Sequence, residues 1–184
     1  MEGPRGTAPG GRPYAEVRRE LTTADVLCFR GRGLPSALIR WITRSAYSHV
    51  GLVFRFEERV YCLEAIGIGV RLILMSELVR RYHGGIDYFE VLDVDDGQRR
   101  SAVGFAFQQL GKLYDRRGLM RFLRFLVLGR RQRSRARGSW FCSELVNEAW
   151  REQGVHLAAF TSAYTTPEAI ASSPHVRFAF RIKR

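Results

Sequence analysis

The sequence predicts an α+β domain in which a mainly antiparallel sheet carries a packed helix. Three observations support this. Two β-rich runs flank the polar stretch Glu57-Glu58-Arg59, and two helical patterns end at Gly111 and Gly154. Apolar residues make up 46% of the 184-residue chain, enough to bury one core without disulfides or metal. The expected organisation is a disordered N-terminal tail over residues 1–20, rich in Gly, Pro and Arg at its start, and one folded domain over residues 21–184.

Within that domain, Asp25-Val26-Leu27-Cys28-Phe29-Arg30 reads as a strand, broken by Gly31-Arg32-Gly33 before an amphipathic helix near residues 34–43 with Pro35 in its first turn. His49 to Phe56 and Val60 to Ile66 form a hairpin, and further strands follow over Gly69 to Leu74 and Ile86 to Leu92. From Gln98 to Leu110, the spacing of Val103, Phe107 and Leu110 predicts a helix with one buried face. Residues 116–138 mix Leu119, Phe122, Leu123, Leu126 and Val127 with arginines, and read as a basic insertion or flap. A second helix is expected from Phe141 to Gln153, with Leu145, Val146, Ala149 and Trp150 on one side. Thr166-Pro167 then opens a short helix, and Val176 to Ile182 forms the last strand.

The cysteines, Cys28, Cys62 and Cys142, are odd in number and widely spaced, so neither a disulfide framework nor a zinc knuckle is expected. No cofactor and no metal are called for. The N-terminus lacks the apolar run of a secretory signal, and Leu119 to Leu128 is too short and too basic to span a bilayer. The expected location is therefore cytoplasmic, with peripheral contact to an anionic membrane through the basic segment. The net charge of +12 attracts polyanions at long range, but no aromatic RNA-binding signature is present, and no specific nucleic acid is expected.

Chemistry concentrates on three residues. Cys142 falls in the first turn of its helix, where unpaired N–H groups and aligned peptide dipoles favour a thiolate and can hold a developing oxyanion. Cys28 and Cys62 lie inside apolar strands with no such support. His49 opens a strand, where its imidazole can face a helix and serve as base. His83 beside Gly84-Gly85, His156 after a helix end and His175 in a loop are poorer candidates. Glu64 interrupts the apolar run Tyr61-Cys62-Leu63-Glu64-Ala65-Ile66 and needs a partner there. A two-residue turn at Glu57-Glu58, or a four-residue turn from Phe56 to Arg59, pairs Gly51 with Glu64 and puts His49 diagonally across on the same face; a three-residue turn breaks this parity. Tyr47, Ser48 and Tyr114 are candidates for oxyanion or substrate contacts, and Asp25 is a weaker one at a strand start.

The chain resembles the YiiX/YebB-like permuted papain-fold amidases of the NlpC/P60 superfamily. The resemblance rests on Asp25-Val26-Leu27 with its Arg-Gly loop, Ser48-His49-Val50-Gly51, the Glu64 strand, Gly111-x-x-Tyr114-Asp115 and Phe141-Cys142-Ser143-Glu144-Leu145. It covers most of residues 21–184. Histidine precedes cysteine, as in the circularly permuted branch. Ala24 replaces the usual glycine before the first strand, and residues 116–138 match no motif of the group. The resemblance implies a circularly permuted papain-like (NlpC/P60) fold and a thiol hydrolase that cleaves a peptide-type or lipid-linked amide through an acyl-thioenzyme, with Cys142 as nucleophile, His49 as base and Glu64 as third residue. The alternatives are a lipid acyl hydrolase or acyltransferase at membranes, and a non-catalytic basic module that binds nucleic acid or anionic lipid.

Overall fold

The computed structural model describes residues 11–33, 36–37, 40–41, 45–114, 139–158 and 165–184. The elements in chain order are β1 (Arg12–Pro13), α1 (Tyr14–Val17), β2 (Val26–Gly31), β3 (His49–Phe56), β4 (Arg59–Ile66), β5 (Gly69–Leu74), α2 (Met75–Arg81), β6 (Gly84–Val91), α3 (Asp96–Phe107), β7 (Leu113–Tyr114), β8 (Ser139–Trp140), α4 (Cys142–Arg151), α5 (Pro167–Ala171) and β9 (Val176–Lys183). Among the described residues a seven-stranded sheet runs β1-β9-β6-β2-β3-β4-β5, antiparallel throughout except for the β1–β9 pair. A separate parallel pair joins β7 to β8.

Both faces of the sheet are covered, which explains why β2 is a near-continuous apolar run. Successive side chains alternate faces. Val26 and Cys28 accordingly join the cluster under α3 and α4, with Ala102, Val103, Ala106, Leu145, Val146 and Trp150. Leu27 and Phe29 join the opposite cluster with Val17, Met75, Leu78 and Val79 of α1 and α2. The fully buried Trp150 also donates its indole N–H to the Ala24 carbonyl at 3.1 Å, tying α4 to the start of β2. At its C-terminus α4 stops on Gly154 (φ +79°), with bonds from Gly154 N–H to the Arg151 carbonyl and from Val155 N–H to the Trp150 carbonyl; only a residue free of Cβ strain suits that left-handed position. The N-terminus of α3 is held by a capping box between Asp95 and Gln98.

Two expectations need correction. Residues 12–20, expected in a disordered tail, are held to the domain: Arg12 and Pro13 pair with Ile182 and Lys183 of β9, Val17 and Leu21 are buried, and Arg12 forms a bidentate ion pair with Glu20, while residues 1–10 of the expected tail lie outside the described residues. The apolar side chains of Tyr14, Val17 and Leu21 pack this segment against the sheet, beside the β1–β9 pairing. The second is helix α2, which was not anticipated; its buried Met75, Leu78 and Val79 follow i, i+3, i+4 spacing within only seven residues. Of the helix expected over residues 34–43, the described residues 36–37 and 40–41 are helical. Asp115 and the expected flap over residues 116–138 lie outside the described residues. No helix among the described residues is long and apolar enough to cross a membrane.

If residues 12–20 belong to the domain, Val17→Ala should lower unfolding free energy by about 1.5 kcal/mol through lost apolar burial, measured by urea denaturation. An unchanged midpoint would return the segment to the status of a tail.

Candidate active site

Cys142 is the first residue of α4, and the preceding Phe141 makes no side-chain cap hydrogen bond, so the thiol sits at the positive end of the helix. The thiol is 8% exposed. Burial by itself pushes its pKa up, but the neighbouring His49, through charge and a hydrogen bond, and the backbone N–H groups of Val50 and Ser143 together bring it below the usual thiol value. Cys28 and Cys62 differ: both are fully buried, and loss of solvent drives their pKa values well up.

His49 begins β3, with its ring centroid 5.0 Å from that of Phe29, its cross-strand neighbour on β2. Its Nε2 lies 2.6 Å from Glu64 Oε2, which leaves the other side of the ring for the hydrogen bond with Cys142. Burial disfavours the imidazolium, yet the Cys142 charge, that hydrogen bond and Glu64 outweigh it, and the pKa is raised to about 10. The shifts run in opposite directions, down for the Cys142 thiol and up for His49, and both favour charge on the two groups.

Glu64 reaches His49 because the β3–β4 turn has two residues. Phe56 pairs with Arg59, and the register runs on to Leu52 and Leu63, so Gly51 continues it opposite Glu64. A Cβ at Gly51 would lie 2.7 Å from Cys62 Sγ and 3.3 Å from Glu64 Cβ, so the absent side chain lets the two strands close at this point. Glu64 is 2% exposed and bonds on two sides. Oε2 meets His49, while Oε1 accepts from Arg71 Nε at 2.9 Å and Nη2 at 2.6 Å. Burial raises its pKa, but His49 and Arg71 prevail and hold it below the usual carboxylate value. Arg71 was missed in the sequence, although a two-residue turn between the strands ending at Ile66 and starting at Gly69 sets it directly opposite Glu64.

The other candidates have different tasks. Tyr47 does not point an open hydroxyl at a substrate: the residue is 5% exposed, its hydroxyl donates to Asp87 Oδ2 at 2.9 Å and accepts from Arg30, and burial raises its pKa. Ser48 is likewise engaged, accepting from Gly31 N–H at 3.2 Å and donating to the Phe29 carbonyl. Both residues brace the chain entering β3, as does Glu168 of α5, missed in the sequence, which accepts from Ala46 N–H at 2.7 Å and from the Ser45 hydroxyl. For Tyr114 the structure describes the backbone, which pairs with Trp140. Asp25 is buried among Tyr88, the Val91 amide and Arg99 and has no hydrogen bond to the Cys142, His49 and Glu64 group. Among the described residues no set of three or more His, Cys, Asp or Glu side chains is arranged to hold a metal ion.

Comparison with known proteins adds a family. A family model described as "Permuted papain-like amidase enzyme, YaeF/YiiX, C92 family" matches residues 32–179. The Escherichia coli (strain K12) protein named "Probable lipoprotein peptidase YaeF" is 25% identical over 173 residues, which cover 80% of this chain and 62% of that protein, so the chain spans less than two thirds of its length. The crystal structure of metalloprotein yiiX from Escherichia coli O157:H7 shares the fold at a TM-score of 0.70 and 18% identity, covering 89% of this chain and 99% of that one.

Because folding lowers the Glu64 pKa, its contribution to stability is complete above the ordinary value of 4.5 and is lost as pH falls through the lowered folded value. Glu64→Gln should cost about 3 kcal/mol at neutral pH, less than a wholly buried pair because Arg71 reaches solvent, and should flatten the loss of stability in acid. Urea midpoints on either side of that pH test this; equal acid slopes in both proteins would contradict it.

Proposed function

The chain belongs to the permuted papain-like amidase family, a family of thiol-hydrolase type, and we propose that it cleaves an amide bond through an acyl-thioenzyme with Cys142, His49 and Glu64 as its triad. The observation that carries this is the hydrogen-bonded series Cys142, His49, Glu64, in which one of the three cysteines alone has a lowered pKa. The NlpC/P60 relation inferred from the motifs belongs to the same proposal.

In the proposed reaction the Cys142 thiolate attacks the carbonyl carbon, and the new oxyanion is met by amides at the start of α4. His49, already protonated, gives its proton to the leaving nitrogen as the C–N bond breaks. It then removes a proton from water, whose oxygen attacks the thioester; the C–S bond breaks, the acid is released, and the Cys142 thiolate and protonated His49 are restored. Glu64 accepts the second ring N–H and favours the imidazolium, and Arg71 holds Glu64 ionised and in place. The name of the curated relative, a lipoprotein peptidase, supports a peptide- or lipid-linked amide as substrate. A non-catalytic basic module would leave both the buried carboxylate and the lowered thiol without a purpose.

Incubation with a panel of N-acyl peptide anilides should yield a mass adduct of the acyl group on Cys142 and release of the amine. Cys142→Ala should abolish turnover with the fold retained, whereas Cys28→Ala should keep turnover and cost about 1 kcal/mol through a small cavity. Turnover that survives Cys142→Ala would sink the proposal.

A further inference from the structure

At the end of the sheet where β3 begins, a cleft of about 600 Å3 has a charged lining that is entirely basic: Arg30, Arg32, Arg40, Arg181, Lys183 and Arg184. Gly84 and Gly85 at the start of β6 also line it; a Cβ at Gly84 would fall 2.3 Å from the Arg30 carbonyl oxygen, so glycine lets β6 close on β2 here. Tyr82 lines the cleft and connects it to the active site through rings: it packs on Phe29 at 5.2 Å, and Phe29 packs on His49 at 5.0 Å.

The charge of this cleft is only partly answered within the protein. Arg30 and Arg181 share one buried carboxylate, Asp87. Among the described residues Arg32, Arg40, Lys183 and Arg184 show no carboxylate partner, and the buried Nε of Arg40 meets no hydrogen-bond acceptor. A buried guanidinium donor without an acceptor is costly and points to a ligand that supplies one. The donors of Arg32, Arg40, Lys183 and Arg184, left over after Arg30 and Arg181 bind Asp87, outnumber what the two oxygens of a carboxylate can accept. They suit a phosphate, with its greater charge and larger number of acceptor oxygens.

We propose that this cleft is a subsite for a phosphate group carried by the substrate next to the scissile bond. Its link to the scissile bond rests on the thiol-hydrolase reading, whereas its affinity for phosphate rests on the cleft alone. Calorimetric titration of the full chain with inorganic phosphate tests it, using wild type, Cys142→Ala, Arg40→Gln and the double variant Lys183→Gln/Arg184→Gln. The last changes exposed side chains, so its folding is not at issue. Saturable binding is expected in wild type and Cys142→Ala, weakened about tenfold in each cleft variant, with acetate binding more weakly at equal ionic strength. No saturable binding by wild type, undiminished binding by both cleft variants, or equal affinity for acetate would overturn the assignment. Phosphate binding retained by a protein whose Cys142 proves unreactive would keep the subsite and discard only the catalytic reading. Glycerol 3-phosphate and vesicles of phosphatidylcholine containing phosphatidylglycerol separate the sources. Tighter binding of vesicles assigns a lipid headgroup and tighter binding of the soluble ester a free phosphate compound, and in either case Arg40→Gln must weaken it.

Discussion

A carboxylate placed in the middle of an apolar strand governs the arrangement of this site. Glu64 is removed from water, and an ion in that position is tolerated only when opposite charge and hydrogen bonds replace its solvation. One oxygen is taken by Arg71, directly across the β4–β5 hairpin, and the other by the His49 ring across Gly51. The imidazole is thereby fixed in direction and biased towards its charged form, and that charge in turn favours the thiolate at the mouth of α4. Each member leans on the one before it, so the geometry of two tight turns sets the charge placed beside the Cys142 sulfur.

The same device recurs elsewhere in the fold. Asp25 is buried with Arg99, and Asp87 with Arg30 and Arg181, so several arginines in this basic chain serve as internal counterions. The Asp87 group also holds Tyr47, two residues before His49, and Glu168 holds the amide of Ala46. The segment entering β3 is therefore fastened at successive residues, which limits the swing of the imidazole relative to Cys142. On the other side, Trp150 anchors α4 to Ala24 and fixes where its first turn meets the sheet.

Much of this was legible in the sequence because it follows from short-range rules. The polar pair Glu57-Glu58 between two β-rich runs set the hairpin parity, and with it the approach of Glu64 to His49. Glycine at 154 marked the end of α4, and counting back placed Cys142 in its first turn. What escaped depends on contacts distant in sequence or on few residues. Tyr47 and Ser48 were candidates for oxyanion or substrate contacts at the entry to the histidine strand, whereas Asp87, forty residues away from Tyr47, and the backbone of β2 claim their hydroxyls. Residues 12–20 show too few apolar positions to predict order, yet a parallel strand contact and one ion pair hold them.

The most direct test of the account is the pH dependence of Cys142 alkylation by iodoacetamide, located by mass spectrometry in wild type and His49→Ala, since the thiolate fraction governs this reaction. The account predicts rapid labelling of Cys142 at pH values below the usual thiol range, and a return to ordinary thiol behaviour once His49 is removed. Labelling of wild-type Cys142 that follows an ordinary buried thiol, or that is indifferent to His49, would contradict it.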